Sequence, residues 1–144
     1  LLRANGAIIS GSTALHFFLP DTSWHPHHLD IYIPANTFKR FMRTVTDHTT
    51  FGWVYAPRRR HTLARGSAPL LAAQLYEDLE ENFRSLRTLR TPTGRRVNVV
   101  RSHANNPISP LRCFWSTLTM NFLTPDGCVC AFPSATLARQ GAIK

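Results

Sequence analysis

The sequence predicts an α/β fold, a small mixed β-sheet with flanking helices, in one domain spanning residues 1-144. Three observations lead there. A short apolar run, Ala7-Ile8-Ile9, meets the turn Ser10-Gly11-Ser12-Thr13 and passes into an apolar helical segment, Ala14 to Leu19. A second strand, Leu29-Asp30-Ile31-Tyr32-Ile33, follows and is closed by Pro34. Further on, the β-branched run Val97-Asn98-Val99-Val100 comes directly after turn residues, the signature of a hairpin.

Each element has a local reason. A Gly-Ser turn between a buried strand and a helix leaves backbone N–H groups and a hydroxyl at the helix start, an anion site in principle. Ser12 is equally a favoured N-cap residue. Asp30 stands among apolar neighbours, so its charge calls for a partner such as a metal. Beyond Pro34, Asn36 reads as an N-cap. Phe38, Phe41, Met42 and Val45 then fall at i, i+3, i+4 and i+7, the inward stripe of a helix ending near His48, with Lys39, Arg40 and Arg43 outside.

Phe51 to Tyr55 reads as a turn and a short strand. Pro57-Arg58-Arg59-Arg60-His61 is the densest basic run, either a phosphate-contacting loop with Trp53 and Tyr55 as stacking surfaces or a solvated loop. Leu70, Leu71, Leu75, Leu79 and Phe83 recur at helical spacing. Glu77, Asp78, Glu80 and Glu81 give that helix a charged outer face and a store of carboxylates for a metal. Residues 83–91 and 97–100 form the hairpin around Thr91-Pro92-Thr93-Gly94-Arg95.

Toward the end of the chain, Leu111, Phe114, Trp115, Leu118 and Phe122 suit a buried helix. Thr124-Pro125-Asp126-Gly127 is a turn before a strand over 128–132, whose cysteines read as small hydrophobes, and a last helix begins at Thr136.

An apolar strand ending in Gly-Ser, a helix, and a strand of the form hydrophobic-Asp-hydrophobic-(Asp/Glu)-hydrophobic resembles the nucleotidyltransferase (polymerase-beta-like) superfamily. The wording Ser10-Gly11-Ser12-Thr13-Ala14-Leu15, then Leu29-Asp30-Ile31-Tyr32-Ile33-Pro34, is most similar to its fungal, toxin-like branch. The resemblance implies a nucleotidyltransferase-like core over roughly the first hundred residues. It implies that Gly11, Ser12 and Thr13 hold a nucleoside triphosphate and that Asp30 is a catalytic carboxylate and magnesium ligand. It also implies a strand over 97–100 beside the Asp30 strand, bringing Asn98 to the site. In such enzymes paired carboxylates and a third on a later strand hold two magnesium ions for in-line displacement.

This chain departs from that pattern at two of the three carboxylates. Tyr32 stands at the second, a neutral phenol, and Asn98 at the third, with only an amide oxygen to offer. Tyr32 and Asn98 are therefore read as lining a nucleotide or phosphate pocket, with Asp30 the one metal ligand. The expected function is a catalytically degenerate nucleotidyltransferase-fold domain that binds a nucleotide or other phosphate ligand. The alternatives are an active magnesium-dependent nucleotidyltransferase and a basic nucleic-acid-binding or structural interaction domain.

Composition bounds the partners. The formal charge is +9 and rests almost wholly on Arg, with Lys only at positions 39 and 144. Guanidinium pairs bidentately with phosphate, so nucleoside triphosphate and nucleic acid are the expected partners, set against a plain solvated surface. Cys113, Cys128 and Cys130 form no disulfide framework, which points to an intracellular compartment, cytoplasmic or nuclear. No apolar run reaches the roughly 20 residues that span a bilayer, so no membrane partner is expected. The chain begins at Leu1, which suggests a fragment of a longer one. His25-Pro26-His27-His28 lacks the spacing of a zinc site, though His27 or His28 is placed to contact phosphate. No Gly-x-Ser-x-Gly signature supports a serine nucleophile.

Overall fold

The computed structural model describes residues 1–21, 23–57 and 83–143. Seven strands make one sheet: β1 (Ile8–Ser10), β2 (His28–Ile33), β3 (Val54–Tyr55), β4 (Phe83–Arg90), β5 (Arg96–Ser102), β6 (Phe122–Thr124) and β7 (Gly127–Val129). Their order is β3-β4-β5-β2-β1-β6-β7. Every neighbouring pair is antiparallel except β2 and β5, which run parallel at the middle. Parallel strands need a long crossover, and here the chain between them carries α3 (Phe38–Thr46) and β3. The other helices among the described residues are α1 (Leu2–Asn5), α2 (Ser12–Phe18) and α4 (Pro133–Leu137).

Alternation along the strands divides the sheet into two faces. One face turns Ile9, Leu29, Ile31, Ile33, Val97, Val99 and Leu89 toward α3, whose Phe38, Phe41, Met42 and Val45 complete the larger core. The helix stripe and the strand pattern of the sequence thus meet in one cluster. On the opposite face Ile8, Tyr32 and Val100 pack with Leu111, Phe114 and Phe122 in a smaller core. This second core covers only part of its face. Asp30 lies on the same face beyond this second core, toward the beginning of β2 and β5.

Several expectations are corrected. The segment from Leu111 to Phe122 is two short 3-10 turns, Ser109–Cys113 and Thr117–Thr119, followed by β6. Phe114 adopts an extended backbone that stops the first turn, and Trp115 faces out. Ser116, also extended, caps Leu118 N–H with its hydroxyl and bridges to Ile143. The N-cap of α3 is Thr37, not Asn36, and Thr37 Oγ1 donates to Asn5 O at 2.7 Å, tying α1 to α3. Cys128 is exposed because β7 is the last strand and covers nothing. The final helix starts at Pro133 and ends at Leu137. The basic run over 58–61 and the helix expected over 69–83 lie outside the described residues, except that Phe83, read as its last apolar position, begins β4.

Among the described residues no helix is long and apolar enough to cross a membrane.

Candidate functional site

Register places the site residues in rows across the sheet. Thr88 on β4 faces Asn98 on β5, Asn98 faces Asp30 on β2, and Asp30 faces Ser10 on β1. The adjoining row on one side is cationic, Arg90, Arg96 and His28. On the other side it is apolar, Leu86, Val100, Tyr32 and Ile8. This face therefore grades from basic side chains through hydrogen-bonding groups to the second core.

The middle row is a hydrogen-bonded chain. Thr88 Oγ1 donates to Asn98 Oδ1 at 3.0 Å, and Asn98 Nδ2 donates to Asp30 Oδ1 at 2.9 Å. The other carboxylate oxygen, Oδ2, lies 3.3 Å from His28 Nε2 on the same strand. Only 15% of the Asp30 side chain is exposed. Burial raises its carboxyl above the ordinary 3.8, against the opposing pull of the Asn98 donor and the nearby His28 and Arg96. Burial, and then the Asp30 charge, hold the Tyr32 phenol well above its ordinary 10.0. Tyr32 packs edge-on to Phe114, ring centres 5.8 Å apart, as a neutral member of the second core.

The Gly-Ser turn closes around this carboxylate. Gly11 is buried at φ 70, and a Cβ there would come within 2.6 Å of Asp30 Oδ2. Glycine is required both by its backbone angle and by the approach of the carboxylate. Gly11 is also the N-cap of α2, so Ser12 is the first helical residue rather than the cap. Thr13 Oγ1 donates to His28 O at 3.2 Å, fastening α2 to β2. Ser10, fully buried, donates to Asn121 O at 2.6 Å, and Asn121 in turn donates to Leu118 O and accepts from Ala131 N. Ser10 and Asn121 hold β1 to β6, a structural role.

Gly11, Asp30 and Asn98 thus come together, with Tyr32 one residue pair along the strand on the same face. The donor set does not fit two magnesium ions. Among the described residues Asp30 is its one carboxylate, each oxygen already meets a neighbouring donor, and Asn98 Oδ1 accepts from Thr88. Among the described residues no group of three or more His, Cys, Asp or Glu side chains is arranged to hold a metal ion.

Beside Asp30, at the ends of β2 and β5, opens a cavity of about 710 Å³. Arg95 and Arg96 give it two guanidiniums and His16, His25, His27 and His28 four imidazoles, with no carboxylate among its lining residues. Leu29, Val97 and Trp53 supply an apolar wall, and Thr13 borders it from α2. The loop carrying His25 is braced on α2 through ring contacts of His16 with Trp24 and His25, at 5.2 and 5.3 Å.

Sequence reasoning missed Thr88, Arg95 and Arg96. The hairpin was the available signal: once 83–90 pairs with 96–102, Thr88 must face Asn98 and Arg90 must face Arg96. Comparison with protein-family models, with curated proteins and with solved structures finds no match for this chain.

Proposed function

We propose that this chain is a catalytically degenerate nucleotidyltransferase-like domain that binds a nucleotide or another phosphate ligand without two-metal chemistry. One observation carries the reading. Gly11 is shaped around the Asp30 carboxylate, and Asp30 is hydrogen-bonded across the parallel pair to Asn98, where the resemblance expects a carboxylate. The turn, the first acidic position and the third strand position are in contact, as a nucleotidyltransferase site requires. The groups that would anchor and neutralise two cations are replaced by a buried phenol and an amide. The cationic cavity alongside supports a phosphate-bearing ligand.

Calorimetric titration of ATP, GTP, CTP and UTP, with and without magnesium, on wild type and Asp30→Ala tests it. Saturable binding indifferent to magnesium is the expected result. Binding that magnesium strengthens and that Asp30→Ala abolishes overturns the degenerate reading in favour of an active transferase. Absence of binding leaves an interaction domain.

A further inference from the structure

We propose that the cavity at the ends of β2 and β5 is a nucleoside-phosphate subsite, with the phosphate on Arg95, Arg96 and His28 and the base against Trp53. The inference rests on the nucleotide reading above and adds where in this chain the ligand lies.

The Gly-Ser turn is a poor place for the phosphate here. Asp30 Oδ2 fills the space over Gly11, and the donor set is too sparse to hold a cation between carboxylate and phosphate, so the two anions repel. Across His28 the sign of the field reverses. Arg96 faces His28 on one side and Arg90 on the other, and the Arg90–Arg96 cross-strand pair sets two like charges side by side, an arrangement that an added anion favours. Among the described residues neither Arg95 nor Arg96 forms an ion pair. Arg90 Nη1 donates to Gly94 O at 3.1 Å, and Thr91 N donates to Arg95 O at 2.9 Å. These bonds fix the turn that presents Arg95 at the cavity.

Another part of the lining suits a flat apolar group. Trp53 is held from behind by Phe41 and Phe51, ring centres 6.5 and 5.9 Å away, and its backbone N–H donates to Val45 O at 2.8 Å. A ring so fixed loses little freedom when a base settles on it. Leu29 and Val97 continue the same surface. A volume of about 710 Å³ is that of a pocket for one small molecule, not of a track for a strand. A lining that joins guanidiniums to an aromatic ring around the starts of β2 and β5 selects a ligand that is anionic at one end and planar at the other.

Calorimetry in metal-free buffer, with ATP, adenosine and inorganic tripolyphosphate as probes, tests this on wild type and on an Arg95→Ala, Arg96→Ala double variant whose folding is checked by circular dichroism. Both arginines are exposed, so the variant keeps the cores intact. ATP is expected to bind at least about tenfold more tightly than either half alone, and the double variant to weaken ATP and tripolyphosphate by about tenfold or more while sparing adenosine. In NMR the indole N–H of Trp53 is expected to shift on adding ATP and that of Trp115 to stay in place. ATP binding unchanged in the double variant removes the subsite and leaves the nucleotide reading standing. Tripolyphosphate binding as tightly as ATP removes the nucleoside from the assignment. A single-stranded RNA oligonucleotide that binds more tightly than ATP, with steep salt dependence, overturns it in favour of a strand. No saturable binding of any probe removes both readings together.

Discussion

A side chain at Gly11 would place its Cβ 2.6 Å from Asp30 Oδ2, so the turn and the carboxylate occupy one another's only space. The Gly11→Ala substitution is expected to destabilise the fold by about 1–3 kcal/mol, from the left-handed φ together with the clash. Combining it with Asp30→Ala removes the clash and leaves the backbone strain. The pair is therefore expected to be less damaging than the sum of its parts, by urea denaturation. Strict additivity would show that the two residues do not touch in solution.

The raised Asp30 carboxyl has a definite sign in stability. A group whose folded value lies above its unfolded one contributes stability that is fully present below about 3.8 and lost as pH rises through the folded value. Asp30→Asn keeps an acceptor for Asn98 Nδ2 and abolishes that titration. Its stability relative to wild type is expected to climb from pH 3 to a plateau above the folded value, as followed by urea midpoints at about one-unit pH intervals. A stability of Asp30→Asn relative to wild type that falls as pH rises contradicts the burial-driven shift.

Tyr32 belongs to the second core, and returning a carboxylate to its position is expected to cost the fold. Tyr32→Asp places an ionised group against Phe114, Val100 and Leu111 and should destabilise by about 3 kcal/mol or more, whereas Tyr32→Phe should stay within about 1 kcal/mol. Thermal and urea unfolding of the two variants decides the matter. Equal stability for both would place Tyr32 in an open pocket instead.

Asn98→Asp replaces the donor to Asp30 with a second carboxylate across the parallel pair. Like charges so close raise one another's protonation, so the variant is expected to lose melting temperature between pH 4 and pH 7 more steeply than wild type. Magnesium should recover part of that loss in the variant and leave wild type unchanged. A flat pH response in Asn98→Asp would mean that the two side chains have turned apart.

Much of this arrangement was legible in the sequence. The α3 stripe specifies its own buried face, and Leu29, Ile31, Ile33, Val97 and Val99 announce strands that an α/β sheet must bury. The approach of Asn98 to Asp30 was expected from the resemblance alone, which sets the strand over 97–100 beside the Asp30 strand, and the parallel register is what the structure adds. The stretch from Leu111 to Phe122 was not legible, because its apolar spacing fits a helix while long-range bonds decide otherwise. Ser116 pairs with Ile143, and Thr117 N donates to Ala142 O at 3.1 Å, contacts that no local window contains. The cationic cavity was hidden for the same reason. Its lining comes from α2, the loop before β2, the approach to β3 and the β4–β5 turn, and only the sheet order gathers them.

The central parallel pair also bears on how the domain assembles. Joining β2 to β5 closes a long loop, exceeded in the sheet only by the pairing of β1 with β6, and the entropy of that step is lost before the contacts it allows are gained. The hydrogen bond between Asn98 and Asp30 spans that closure, so the site comes into being only when the chain has completed it. Any ligand held there acts as a latch on that long-range joint. Its presence would slow unraveling of the crossover more than it would hasten the earlier hairpins.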